Sequence, residues 1–199
     1  ALLAVLVGGL MAYSLSKFRY RGRNAIMFMF LIGQLIPGAL LLISLYLMLS
    51  SAGLLYTYTA LIISFTTFTL PLAVFLLKGI IDALPEDILE AAKVDGLSRT
   101  GAFMRITFPL LAPGLIASGV YAFLQAWNEF TVALVLLPSE SAHTLPLWLR
   151  GFVQASATRE TDWGLVMAAS TMVAVPVIIF FMIVQGRLTS GLVAGAVKG

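Results

Sequence analysis

Cysteine is absent from all 199 residues, which excludes disulfides and thiolate-held metal and leaves no redox signature in the composition. A single histidine, His143, excludes a histidine-rich metal centre. Charge is scarce too: 11% of residues are Asp, Glu, Lys or Arg, against about 25% in ordinary soluble domains. No GxxxxGK[ST] phosphate loop, no GxGxxG turn and no aspartate placed for magnesium is present, so any nucleotide chemistry belongs to another chain. No nucleophile stands paired with a base, and no catalytic residue or metal site is assigned.

What fills the chain is apolar: 60% hydrophobic residues and a mean hydropathy of +1.02. This composition predicts an all-α membrane protein, a multi-span helical bundle. Asn24 to Leu77 is one uncharged run of 54 residues. As one helix it would be about 80 Å long, far beyond a hydrocarbon core of about 30 Å. It must fold back, and Ser50-Ser51-Ala52-Gly53 offers the turn. Hydropathy predicts five spans, over 1–18, 25–49, 54–77, 110–137 and 163–185. The first has no initiating Met, basic n-region or cleavage-like ending, so it reads as the cut end of a helix with N-terminal sequence missing. The whole of 1–199 reads as one transmembrane domain.

The basic residues orient these spans. Lys17, Arg19, Arg21, Arg23, Lys78, Lys93, Arg99, Arg105, Arg187 and Lys198 fall on one side, and only Arg150 and Arg159 on the other. Ten against two predicts that the first side, with the C-terminus, is cytoplasmic. On the outer side, 138–162 has room for a surface helix near 145–155, with Trp148 and Trp163 suited to the interfacial belts.

Residues 78–105 carry nine of the 21 charged side chains. Pro85 suits a first helical position, and Glu86 and Asp87 suit the positive end of the helix dipole. A short helix over 85–94 follows, stopped by Asp95-Gly96, since glycine adopts the left-handed conformation common at helix ends. Ser98 caps a second short helix toward Phe103 and Ile106, and Pro109 and Pro113 restart the chain into the fourth span. Periodicity alone leaves two readings open: a solvated linker, or a docking knob whose small Ala91 and Ala92 let a helix sit deep in a partner's groove.

Glu90-Ala91-Ala92, Asp95-Gly96, Ile106 after nine intervening residues, and then Pro109 resemble the EAA loop of membrane subunits of ATP-binding-cassette importers. Phe108 stands where that family often has Leu. Phe18-Arg19-Tyr20-Arg21-Gly22, Gln34-Leu35-Ile36-Pro37, Val74-Phe75-Leu76-Leu77 and Trp127-Asn128-Glu129-Phe130 are similar to the carbohydrate-uptake branch, the shorter partner of the maltose-permease type. The resemblance implies a six-span permease in a prokaryotic cell membrane, with a sixth N-terminal span outside this sequence. It implies that 78–109 is the cytoplasmic coupling loop and that Ile88, Leu89, Glu90, Ala91, Ala92, Asp95 and Gly96 dock on an ATPase. The implied partners are a second permease subunit, two cytoplasmic ATPase subunits that hold ATP and magnesium, an extracytoplasmic solute-binding protein and the bilayer, with no nucleic acid and no cofactor in this chain.

In the fourth predicted span, Gly114, Ser118, Tyr121, Gln125, Asn128 and Thr131 recur at steps of three and four, a polar stripe on an apolar helix. Glu129 lies beside it, costly in lipid and so turned toward protein or water. Tyr121, Gln125, Trp127, Asn128 and Glu129 offer the hydroxyl, amide and aromatic groups suited to a neutral polyol. Interhelical hydrogen bonding is the competing account of each. Ser64, Thr67 and Pro71, with Gln34, Pro37 and Pro176, read as structural, the hydroxyls satisfying carbonyls that the prolines release. The function expected is a sugar or oligosaccharide permease subunit working by alternating access. The rival is an ion-gradient-driven transporter or channel, which usually needs more intramembrane ionisable groups than Glu129.

Overall fold

The computed structural model describes residues 1–85, 92, 94, 96–137, 144–155 and 162–196. Among them the regular structure is helical: α1 (Leu2–Lys17), α2 (Arg23–Leu35), α3 (Gly38–Ser51), α4 (Tyr58–Asp82), α5 (Arg99–Ala102), a π-turn (Phe103–Thr107), α6 (Phe108–Asn128), α7 (Thr131–Leu136), α8 (Leu145–Ala155) and α9 (Trp163–Ala196). Tyr58–Asp82, Phe103–Asn128 and Trp163–Gly186 are each long and apolar enough to cross a bilayer. The α2 and α3 pair passes the same test jointly, while α1 is shorter.

Three sequence expectations about where helices start and stop change. The predicted second span is broken, because Pro37 sits at φ −56° and ψ 125°, extended rather than helical. A residue before proline is pushed out of the α region, so Ile36 ends one helix and the next begins at Gly38. The predicted fourth span ends early, at Asn128, and Glu129 and Phe130 separate it from α7. Thr131 therefore does not continue the stripe of α6. Nor does the chain restart at Pro109: α5, the π-turn and α6 run on without a gap. Phe108 N–H bonds to the Phe103 carbonyl five residues back, a π-type bond that widens the turn just before the proline.

By contrast, the turns expected from glycine are present. Gly53 (φ +67°) and Gly96 (φ +77°) are left-handed, and each is followed by the same closure, Leu54 N–H to Leu49 O at 2.9 Å and Leu97 N–H to Ala92 O at 3.0 Å. This six-to-one bond is the Schellman termination. The short helix expected near 145–155 covers Leu145–Ala155. The hydroxyls near Pro71 act differently from the expectation. Ser64 Oγ bonds Ala60 O at 2.6 Å and Thr67 Oγ1 bonds Ile63 O at 2.8 Å, so each returns to the carbonyl four residues before its own position. That is the geometry a helical Ser or Thr rotamer reaches, and it leaves the Thr67 carbonyl opposite Pro71 without a hydroxyl donor from either residue.

Two compact units form, Ala1–Leu35 with Thr69–Ala122 and Val184–Gly199, and Ile36–Phe68 with Phe123–Ile183. In the first, Ala12, Leu15, Val74, Leu77, Ile81 and Leu111 make the core. Small residues let its helices approach closely, as membrane helices require when lipid supplies no hydrophobic drive. A Cβ on Gly8 would lie 3.2 Å from Ala73 Cβ, and one on Gly114 only 2.2 Å from Ile80 Cδ1. In the second unit, Leu49, Ala60, Leu61, Val132, Ala133, Leu136 and Leu137 pack together, with Tyr46, Phe65 and Phe68 around them. The last span begins on a capped turn: Asp162 Oδ1 accepts from Leu165 N–H at 3.0 Å.

Candidate functional site

Of the docking residues expected from sequence, Ala92 and Gly96 lie among the described residues, and Ile88, Leu89, Glu90, Ala91 and Asp95 lie outside them. Gly96 closes the helix as described above. Ala92 is 1% exposed within this chain. Its small side chain packs within its own chain. Val94 faces outward, at 86% exposure. Two residues on from Ala92, it points about 200° around a helix of 3.6 residues per turn, and that spacing was the signal available in the sequence. Beyond Gly96, Ser98 caps α5 as predicted, its Oγ accepting from Gly101 N–H at 3.1 Å.

The base of the first unit carries a polar clip. Ser16, one residue before the end of α1, donates to Asp82 Oδ1 at 2.5 Å, and Lys78 pairs with the other carboxylate oxygen from one turn back on α4. The end of α1 and the end of α4 are therefore tied through Asp82, which the sequence reading did not single out. Nearby, Tyr13 meets Phe18 edge-on at 6.1 Å and Phe103 at 4.7 Å.

Along α6 the polar stripe divides. Gly114 is buried against Ile80 and Leu77 of α4, and Ser118 is fully buried, so the lower part of the stripe is a packing seam. Farther up, Tyr121 is half-buried and Gln125 and Asn128 are exposed. The Asn128 amide donates back to Leu124 O at 2.8 Å. Glu129 has a role that sequence spacing could not show. Its Oε2 accepts from Val132 N–H at 2.9 Å and Ala133 N–H at 3.2 Å, and its Oε1 lies 3.1 Å from Val132 N. The carboxylate thereby caps α7, offsetting the positive end of that short helix.

Trp127 is the remaining member. Its ring packs against Phe123 at 5.2 Å, and Phe123 against Phe180 at 4.2 Å. The indole Nε1 is buried and has no hydrogen-bond partner among the described residues. A buried donor left unpaired costs about 1–3 kcal/mol. Ser118 Oγ and Thr107 Oγ1 are buried and unpaired in the same way.

Residues 4–194 match the family described as binding-protein-dependent transport system inner membrane component. The chain is 42% identical to an inner membrane ABC transporter permease protein, YcjP, of Escherichia coli K12, over 100% of this chain and 70% of that protein. It is 36% identical to the diacetylchitobiose uptake system permease DasC of Streptomyces coelicolor, covering 94% and 67% of the two. It is 35% identical to the trehalose/maltose transport system permease MalG of Thermococcus litoralis, covering 100% and 70%. Among solved structures, a chain of a bacterial ABC transporter that imports the acidic polysaccharide alginate shares the fold, with a TM-score of 0.74 at 24% identity over 92% of this chain and 70% of that one. A chain of apolar helices, bearing a capped turn after a helix end and matched over nearly its full length, is thereby placed: it belongs to the inner membrane component family of binding-protein-dependent transport systems and is a multi-pass permease subunit, a transport component that works with ATPase and binding-protein partners and is not itself an enzyme.

Proposed function

We propose that this permease carries a sugar or oligosaccharide inward by alternating access, paired with a second, different permease subunit. Two cytoplasmic ATPase subunits hold ATP and magnesium, and a solute-binding protein delivers the ligand at the outer face. Support for the substrate class comes from the relatives, whose names specify diacetylchitobiose and trehalose or maltose uptake. Support for the path comes from Trp127. An indole N–H buried without an acceptor, on a ring backed by Phe123, offers a hydroxyl acceptor's partner and an aromatic face together. Gln125 and Asn128, exposed on the same helix, extend that polar surface, and Tyr121 precedes them by one turn. Glu129 contributes by holding α7 in place.

In this reading 78–109 is the coupling loop, the ten-to-two distribution of basic residues sets it and the C-terminus on the cytoplasmic side, and ATP-driven closure of the partners moves it. Docking falls to Ile88, Leu89, Glu90, Ala91, Ala92, Asp95 and Gly96, with the exposed Val94 beside them. The test is uptake of labelled di- and trisaccharides by cells expressing the complete system. Uptake should stop when the ATPase partner carries a hydrolysis-dead substitution and should persist in the presence of an uncoupler until ATP is exhausted. Uptake that survives the dead ATPase and collapses at once with the uncoupler would establish the ion-gradient rival.

A further inference from the structure

We infer that the loop joining α1 to α2 binds the headgroups of anionic phospholipids in the cytoplasmic leaflet. Its sequence is Lys17-Phe18-Arg19-Tyr20-Arg21-Gly22-Arg23, four cations in seven residues interleaved with two aromatics. Phe18 is 47% exposed and Tyr20 39%, Arg19 is exposed between them and Arg21 is exposed after Tyr20. The connection spans only residues 18–22 between two apolar helices, so it has no slack to rise away from the membrane surface. Gly22, at φ +94°, makes the tight reversal, and Ile26 N–H closes on its carbonyl at 3.0 Å. The cations are thus held at headgroup depth, with Phe18 and Tyr20 suited to the interface beside them.

Among the described residues, the arginines of this loop, Arg19, Arg21 and Arg23, have no carboxylate partner. The first 81 residues contain no Asp or Glu, and the first carboxylate, Asp82, already serves Lys78 and Ser16. A row of three unpaired arginines at the bilayer surface, beside a Lys17 that acts on Asp82, is complementary to a negatively charged leaflet, with a juxtamembrane cation worth about fivefold in binding. The loop also touches the rest of its unit. Phe18 meets Tyr13, Tyr13 meets Phe103, and Phe103 lies 6.3 Å from Phe108, so rings lead from the loop to the π-turn at the exit of the coupling segment.

The inference rests on residues rather than on substrate, and orientation enters only in naming the leaflet. The test uses the assembled transporter in nanodiscs of phosphatidylglycerol and phosphatidylcholine in equal parts, where both leaflets are alike. The complex is extracted into neutral detergent and the lipids it retains are measured by mass spectrometry. The wild type should retain phosphatidylglycerol preferentially. Arg19→Gln, Arg21→Gln and Arg23→Gln should each lower that selectivity about fivefold, cumulatively, until both lipids are held alike, and the triple Arg→Lys variant should keep it. For the wild type alone, raising salt from roughly 0.1 M to 1 M shortens the screening length from about 10 Å to about 3 Å and should abolish the preference. Equal retention of both lipids by the wild type, unchanged selectivity in the triple Gln variant, or indifference to salt each overturns the inference. So does displacement by inorganic phosphate alone, which would mark a site for a free anion.

Discussion

Gly114→Ala offers the sharpest check on how α4 and α6 meet. The new methyl carbon would sit 2.2 Å from Ile80 Cδ1, with Ile80 Cγ1 at 3.5 Å and Leu77 Cδ2 at 3.6 Å. Only the first distance is a collision, and Leu77 behind it is fully buried and has little freedom to yield. Ile80, half-buried, must turn its terminal methyl aside, an overpacking cost of about 1–3 kcal/mol that is partly offset by about 0.5–1 kcal/mol of helix propensity gained on replacing glycine. Ile80→Val removes Cδ1 and leaves the remaining contacts at ordinary van der Waals separation. Alone it should cost about 0.5 kcal/mol, the low end for such a change, because Ile80 is only half-buried. The double variant should then be close to Ile80→Val and more stable than Gly114→Ala. The coupling energy is about 1–2 kcal/mol in the favourable direction. The assay is heating the purified transporter and following loss of its monodisperse elution peak for the four members of the cycle. A double variant whose change equals the sum of the two singles refutes this packing.

Two further predictions address the functional surfaces. Val94→Asp should leave the permease's thermal stability unchanged, because the side chain is 86% exposed, but should weaken ATPase co-purification at least about tenfold if Val94 is buried on docking; undiminished recovery of the ATPase rejects the outward face. Trp127→Phe keeps the ring against Phe123 and deletes the unpaired donor, so stability should hold or rise while the KM for saccharide uptake increases about five- to tenfold; an unchanged KM removes the indole N–H from the path.

What could be read from sequence was local or compositional. Gly53 and Gly96 announce helix ends because few other residues tolerate φ near +70°, and Ser98 announces a helix start through one short hydrogen bond. The helix at Leu145–Ala155 was legible from the length of the segment between Pro138 and Asp162, which has room for a short helix. Hydropathy averages over a window and cannot see backbone breaks, so the stop at Asn128 and the break at Pro37 were hidden inside apolar runs. The roles of Glu129 and Gly114 depend on which backbone atoms and which opposing side chain come near, and no spacing rule carries that information. Likewise, a stripe of small and polar residues marks a helix face without telling a packing seam from a wetted surface. Gly114 and Ser118 proved to be the former.

The π-turn at Phe103–Thr107 bears on how force could pass from the loop to the span. It places one surplus residue in a single coil of otherwise regular helix. Each residue of an α-helix advances the azimuth by about 100°, so the surplus fixes the compass bearing at which everything N-terminal to Phe103 leaves α6. Deleting one residue there would preserve the composition and the charges of the segment while swinging its outward face through more than a quarter circle, and a lever aimed in the wrong direction transmits nothing.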